Sequence, residues 1–275
     1  MLFRSNFMLD GAIMHSWFGV TSASMSNSTL GVEGIREWRM VTNNFSAEYG
    51  LSMGSQMSIV TKSGTNQFHG SAFEFLRNSA LDARNFFDRK TDVNTDRIPP
   101  FKRNNFGGSF GGPVKQDKSF FFLTYETVRQ RLGATILSNT IPASFRNDPT
   151  IVPTVRPLLD LYPLPNVGTN KFTFPFTTTT NEHYGQARVD HNFSAKDTFF
   201  VRYTIDQTDV VFNSAFPQFP SVYSSRSQYG TISENHVFTN SLLNTARFSY
   251  SRPKLFARSE EHTSELQSRF GISYA

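Results

Sequence analysis

Residues 184–206 read YGQARVDHNFSAKDTFFVRYTID, and this stretch decides the fold. One face of its second half carries the apolar side chains of Phe199, Val201, Tyr203 and Ile205. The opposite face carries the more polar set Phe200, Arg202, Thr204 and Asp206. The first half alternates in the same way, and only Ser194 and Ala195 separate the two halves. A period of two with a tight join predicts two antiparallel β-strands, each with one apolar and one polar face.

Segments of this kind recur after residue 66. Seven are predicted, at 67–77, 105–113, 118–128, 184–193, 196–206, 227–238 and 241–251. Each has about ten residues, and a tilted strand needs about 9–11 residues to cross a bilayer. Alternation alone does not separate a membrane barrel from a soluble half-buried sheet, because both have one apolar and one polar face.

The connections between the segments alternate in length. The long connections are 78–104, 129–183 and 207–226, and the short ones are 114–117, 194–195 and 239–240. Outer-membrane barrels have short periplasmic turns and long extracellular loops. A compact soluble domain rarely holds long loops without structure of their own. The pattern therefore predicts an all-β chain with a transmembrane antiparallel β-barrel sheet, and it places residues 1–66 on the periplasmic side.

Composition agrees with an all-β chain. The sequence has 29 Phe and 9 Tyr within a hydrophobic content of 38%, so its apolar character lies in rings, which suit a pleated surface. No apolar run approaches the about 20 residues of a membrane-spanning helix. Residues 1–66 differ from the rest, since short apolar strands around Trp38 and Ile59 alternate with Gly and Asn turns.

Several function classes are disfavoured. The net charge is +5 but Lys and Arg are scattered without a basic run, so nucleic-acid binding is not expected. The absence of cysteine excludes disulfides and thiolate metal sites, and the six His show no paired ligand spacing. Asp190, His191 and Ser194 have the residue types of a catalytic triad, but adjacent strand residues point to opposite faces. We expect neither enzyme activity nor a cofactor.

Five collinear blocks within residues 30–252 resemble one known family. They are IREWRMVTNNFSAEYG, GSQMSIVTKSGTNQFHGSAFEFLRN, RNNFGGSFGGPVKQDKSFFFLTYETVRQ, ARVDHNFSAKDTFFVRYT and NHVFTNSLLNTARFSYSR. Together they resemble the TonB-dependent outer-membrane transporters, and within these the Oar-like group, whose chains carry an N-terminal carboxypeptidase-regulatory-like domain. The resemblance implies that residues 1–66 are the C-terminal part of a plug domain. It implies that residues 67–257 are about the first third of a 22-stranded barrel.

The resemblance also implies a function and partners. The expected function is energised uptake or export of a large ligand, such as an oligosaccharide, a peptide or a siderophore, across the bacterial outer membrane. The expected partners besides lipid are the TonB–ExbB–ExbD complex, which would act through an N-terminal segment that this sequence does not contain. The residues that match the end of the family's plug are Tyr49, Gly50, Gly54, Val60, Thr61 and Lys62.

Charged residues on the polar faces of the predicted strands are candidates to face the barrel lumen. They are Arg188, Asp190, Arg202, Asp206 and Arg247. Such residues pair with the plug or line the path, or they are ordinary solvated charges of the barrel wall. Two other functions stay open: a soluble all-β module that binds a glycan or peptide, and an all-β hydrolase, for which the sequence offers no convergent catalytic set.

The last segment, 258–275, differs from the aromatic sequence before it. It reads RSEEHTSELQSRFGISYA, and RSEEHTSELQS is the translation of a common short-read sequencing adapter. ISYA matches the translation of the constant adapter segment that follows a sample index. We therefore expect residues 258–275 to derive from adapter DNA, and the codons used across 258–268 distinguish this origin from a natural hydrophilic tail.

Overall fold

The structure is a computed structural model that describes residues 3–14, 31–42, 52–83, 98, 100–213 and 215–259. Its strands form two sheets. The first, here called the small sheet, has the strand order β2-β1-β4-β3. Its strands are β1 (Phe3–Leu9), β2 (Ala12–Ile13), β3 (Ile35–Val41) and β4 (Ser52–Thr61). The apolar stretches around Trp38 and Ile59 are thus strands, as predicted, whereas β1 and β2 were not foreseen.

A two-residue hairpin turn joins β1 to β2. Leu9 pairs with Ala12 across the turn, and the turn residues Asp10 and Gly11 have φ angles of 46° and 86°. Two successive positive φ angles are the mark of a type I′ turn, for which Asp-Gly is a favoured pair because glycine has no Cβ to clash. β1 also pairs in parallel with β4, so the turn projects beside the end of β4.

The second sheet, here called the large sheet, is antiparallel, with its seven strands in chain order. Its strands are β5 (His69–Asn78), β6 (Phe101–Lys115), β7 (Ser119–Asn139), β8 (Lys171–Ser194), β9 (Asp197–Phe212), β10 (Ser221–Thr239) and β11 (Leu242–Ser259). All seven predicted segments lie in strands, and the predicted all-β antiparallel fold is confirmed. The chain passes from the small sheet to the large sheet between Thr61 and His69.

Several strands are longer than predicted. β7 and β8 pair continuously from Ser119 opposite His191 to Asn139 opposite Lys171. The predicted long connection 129–183 is therefore wrong in its outer parts, because residues 129–139 and 171–183 form a paired ribbon beyond the length needed to cross a bilayer. The remaining connection, 140–170, contains two short helices, α1 (Ala143–Arg146) and α2 (Arg156–Leu159).

The connections still alternate between the two ends of the large sheet. Residues 79–100, 140–170 and 213–220 join strands at one end, here called the long-loop end. Residues 116–118, 195–196 and 240–241 join them at the other, the short-turn end. In outer-membrane barrels the long loops are extracellular and the short turns periplasmic, and we expect the same orientation here.

The two faces of the large sheet differ in chemistry. The inner face, which contacts the small sheet, buries polar side chains including Thr204, Asp206, Thr208, Ser227 and Ser233. The outer face exposes the apolar side chains of Leu123, Tyr125, Val201, Tyr203, Ile232, Phe248 and Tyr250. An outward apolar band over a polar interior is the arrangement of a membrane barrel and argues against the soluble binding module. In the part of the chain that the structure describes, no helix is long and apolar enough to span a membrane.

Among the strands that the structure describes, β5 and β11 form the two edges of the large sheet and each pairs on one side only. Backbone groups at an open edge have no partner in lipid and template aggregation in water. We therefore expect residues 1–275 expressed alone to be recovered as aggregate and to yield no monodisperse species in detergent by size-exclusion chromatography. A single sharp monomer peak with a cooperative unfolding transition would contradict this expectation.

Candidate functional site at the contact between the two sheets

The hairpin turn of the small sheet places a carboxylate against the inner face of the large sheet. The Asp10 side chain is only 4% exposed. It accepts hydrogen bonds from the backbone N–H and the hydroxyl of Thr61, at 3.0 and 2.7 Å. Across the contact, Arg202 Nε lies 2.8 Å from Asp10 Oδ2 and Arg188 Nη1 lies 3.8 Å from Oδ1. Asp10 is thus held by its own sheet and by two cations of the other sheet.

Arg202 is the central cation of this contact, and its side chain has no exposed surface. Its Nη2 donates to the carbonyl oxygen of Leu9 at 3.0 Å and to Thr231 Oγ1 at 2.7 Å. Its Nη1 donates to Thr204 Oγ1 at 2.7 Å. A buried arginine is strongly unfavourable unless its charge and its donors are both satisfied. The turn at Asp10 supplies a carboxylate and Leu9 a carbonyl, so the position of the small sheet and the burial of Arg202 depend on each other.

Arg188 forms a second bridge beside the first. Its guanidinium donates to both oxygens of Asp190, with distances from 2.8 to 3.1 Å, and to Thr61 Oγ1 at 3.0 Å. The same guanidinium lies 4.3 Å from the ring centroid of Phe200. Two carboxylate oxygens and an aromatic face fix its plane. Arg188 is therefore oriented by the large sheet and presented to Thr61 at the end of β4.

A turn before β3 makes a separate contact with the inner face. The backbone N–H of Val32 donates to Glu126 Oε2 at 2.9 Å. A Cβ placed on Gly31 would lie 2.7 Å from Cδ1 of the Tyr184 ring, so only glycine fits against that ring. Gln186 Nε2 donates to the carbonyl oxygen of Gly34 at 3.5 Å, the outer limit of a hydrogen bond. Backbone groups in the turn before β3 thus form hydrogen bonds with side chains of the large sheet.

The segment that links the sheets is also tied to both. Glu33 accepts from Ser71 Oγ at 2.9 Å and pairs with Lys62 Nζ at 3.3 Å. The hydrogen bond from Ser71 lowers the pKa of Glu33, burial partly opposes this, and the positive charge of Lys62 lowers the pKa further. The Ser71 hydroxyl lies 2.8 Å from that of Ser109 on β6. The Glu33 carboxylate is therefore ionised at neutral pH.

Comparison with known proteins assigns the chain to a family. Over residues 60–274 the sequence matches the family described as outer membrane beta barrel domain. The chain belongs to this outer-membrane barrel family. The TonB-dependent transporter Oar of Myxococcus xanthus is 32% identical over 121 residues, which are 43% of this chain and 11% of Oar. This confirms the resemblance to Oar-like transporters and the outer-membrane location.

A solved structure gives the same fold for this outer-membrane barrel chain. The outer membrane transporter YddB from Escherichia coli superposes with a TM-score of 0.54 at 13% identity. The superposition covers 90% of this chain and 31% of the YddB chain. The chain thus spans about a tenth of Oar and about a third of YddB.

The barrel structure brings together several of the residues singled out in the sequence. Arg188 and Arg202 both reach Asp10, and Asp190 orients Arg188. Arg247 passes beside the same turn, since its guanidinium occupies the space that a Cβ on Gly11 would need. Asp206 is buried on the inner face.

The residues that match the family's plug end are more dispersed. Thr61 contacts Asp10 and Arg188, and Lys62 contacts Glu33. Gly54 and Val60 lie in β4, and no hydrogen bond joins their backbones to the inner face among the described residues. Tyr49 and Gly50 lie outside the described residues. Sequence reasoning missed Asp10, Glu126 and Thr231; only the Asp10-Gly11 pair carried a local signal, that of a hairpin turn.

Proposed function

We propose that this chain is part of a TonB-dependent outer-membrane transporter, with the small sheet as the end of the plug and the large sheet as part of the barrel wall. The observation that carries the proposal is the contact between the two sheets, which is buried but mainly polar. Asp10, Arg202 and Arg188 form its centre. The relatives Oar and YddB are a TonB-dependent transporter and an outer membrane transporter.

A buried polar contact suits a plug that must move. Small hydroxyl side chains cover the inner face around Arg202, namely Thr204, Thr208, Ser225, Ser227, Thr231 and Ser233. A hydrogen bond lost to water on separation changes the free energy by only about 1 kcal/mol, because water replaces the partner. An apolar contact of equal area would lose about 25 cal/mol for every Å² exposed. The wall therefore favours release of the plug when force is applied.

One apolar contact opposes that release. Tyr229 of the wall packs against Leu9, Met14 and Ile59 of the small sheet. Its hydroxyl lies 3.5 Å from the carbonyl oxygen of Met14. This cluster and the Asp10–Arg202 pair seat the plug when no force acts. We propose that the TonB–ExbB–ExbD complex supplies the force, and that the cargo is a large solute such as an oligosaccharide, a peptide or a siderophore.

Labelling of a wall residue beneath the plug tests the proposal. Ser227 is 1% exposed on the inner face, and Ser227→Cys changes one atom. In cells that make the full-length protein, we expect a membrane-impermeant maleimide added to the periplasmic side to label this cysteine when TonB is present and energised. Cells without TonB, or with the proton gradient collapsed, should show several-fold less labelling.

A matched control fixes the interpretation of that experiment. Ser194 is exposed at the short-turn end, so Ser194→Cys should be labelled equally in all three conditions. Equal labelling of Ser227→Cys with and without TonB would reject an energised plug movement. Loss of the protein from the membrane fraction would reject the outer-membrane assignment itself.

A further inference from the structure

Three cations cluster on the outer face at the long-loop end. Lys102 on β6 stands directly opposite Arg131 on β7, and Arg129 lies two residues before Arg131 on the same face. All three side chains are exposed. Like charges directly opposite each other on neighbouring strands destabilise a sheet unless a counter-charge is present. Among the described residues, no carboxylate lies within ion-pair distance of these three, here called the cationic cluster.

The strand register shows which side chains share the level of the cluster. The row through Arg129 continues through Asn104 to Leu76, and on the other side through Asn181 to the acid Asp209, two strands away on β9. The row through Arg131 and Lys102 continues to Asn78, and on the other side through Thr179 to Val211, without a carboxylate. The acid Glu74 lies one row closer to the short-turn end, opposite Phe106.

An apolar groove begins just below the cluster. It is a cavity of about 470 Å³, open to the outside, whose lining includes Gly108, Leu123, Tyr125, Ala187, Tyr203 and Ile205. Tyr125 precedes Arg129 by four residues on the same strand face, about 13 Å along the strand. Leu123 and Tyr203 are exposed members of the outward apolar band. The groove thus lies at the depth of lipid chains and the cluster at the depth of head groups.

A hydrogen-bonded chain joins the groove to the cluster. Arg129 Nη2 lies 2.8 Å from His183 Nε2, and His183 Nδ1 lies 2.6 Å from the Tyr125 hydroxyl oxygen. Because a guanidinium can only donate, Nε2 is the acceptor and the imidazole is the neutral Nδ1–H form. Nδ1 therefore donates to the Tyr125 oxygen. The Tyr125 hydroxyl hydrogen is then available to donate a hydrogen bond to an acceptor on a ligand.

We propose that this surface binds a phosphorylated lipid of the outer leaflet, with an acyl chain in the groove and the phosphate among Lys102, Arg129 and Arg131. Arginine and lysine together match a phosphate, by paired donors and by point charge. The Tyr125 hydroxyl lies where the polar linkage between chain and phosphate would pass. The unneutralised Lys102–Arg131 pair is explained by this occupant, because the phosphate supplies the missing counter-charge.

The test uses the full-length protein, purified in detergent and freed of bound lipid. Native mass spectrometry with added phosphatidic acid or phosphatidylcholine of identical chains measures binding. We expect the wild type to retain phosphatidic acid preferentially. The double variant Lys102→Gln with Arg131→Gln should bind it about thirty-fold more weakly, since each surface cation contributes about five-fold. Ala187→Phe, which fills the groove, should weaken binding of long-chain but not of short-chain phosphatidic acid.

Controls separate the site from general charge effects. Arg103→Gln with Lys115→Gln removes two charges from the same strand, Arg103 being on the inner face and Lys115 at the other end, and should leave binding unchanged. Equal losses in both double variants would overturn the proposal, since net charge would then explain the binding. Displacement of the lipid by equimolar inorganic phosphate would also overturn it, because the site would then recognise a soluble anion.

Discussion

A disulfide between cysteines at positions 34 and 124 is expected to stop transport by the full-length protein while it is intact. A Cβ on Gly34 would lie 3.2 Å from Cγ2 of Thr124, so one further carbon–carbon bond limits the Cβ–Cβ separation to about 4.7 Å. Disulfides need about 3.5–4.5 Å. Gly34 directly precedes β3 of the small sheet, which we propose to be the end of the plug, and Thr124 lies on β7 of the large sheet. The bond would therefore prevent the two from separating.

The geometry and the function are measured separately. After tryptic cleavage, a non-reducing gel shows whether the fragments that contain positions 34 and 124 stay joined; residues 1–275 themselves contain no native cysteine. We expect growth that depends on the transporter to fall at least about ten-fold under oxidising conditions and to return on reduction. Each single-cysteine variant should grow normally. A formed disulfide with undiminished growth would refute movement at this contact.

Replacing Arg202 by methionine is expected to loosen the attachment of the small sheet to the large sheet. Asp10 would stay buried with only the hydrogen bonds from Thr61 and the more distant Arg188 to stabilise its charge. Breaking a buried pair by removing one partner destabilises a protein by about 3–5 kcal/mol. We expect amide hydrogen exchange in β4, measured on the detergent-solubilised full-length protein, to accelerate about a hundred-fold to a few thousand-fold.

Two further variants show whether the unpaired charge is the cause. Asp10→Asn combined with Arg202→Met removes both charges, and it should recover most of the lost protection because no buried ion remains alone. Arg226→Met removes an exposed cation from the outer face of β10 and should leave exchange in β4 unchanged. If the double variant exchanges as fast as Arg202→Met, lost packing explains the effect and the ion pair does not.

The large sheet was predictable where strands cross the membrane. In β9 the apolar set from Phe199 to Ile205 faces outward, and Arg202 faces inward with 1% exposure, as the period of two requires. Bilayer contact imposes that alternation on each crossing strand. The outer parts of the strands were missed because no such constraint acts there. Pro175 of β8, which pairs with Thr135, has no N–H to donate to a neighbouring strand, so its residue type does not indicate a strand.

The contact between the sheets was predictable only in part. The charged faces of β8 and β9 marked Arg188 and Arg202 as inward, since a charge on the outer face would meet lipid. Their partner Asp10 lies in a turn far away in sequence, and neither the spacing nor the composition of the two segments connects them. Such a pairing follows from the three-dimensional packing of the two sheets, on which a local pattern carries no information.

The opposite chemistry of the two faces also bears on how the sheet is assembled. If β9 paired with its neighbours one residue out of register, every side chain would change faces. Arg202 would enter the hydrocarbon, at about 2–4 kcal/mol near the bilayer centre, while Val201 would displace it among the hydroxyls and leave Asp10 without its cation. A misaligned intermediate is thus destabilised on both faces of the sheet at once. Insertion into the membrane therefore favours the correct register of the strands.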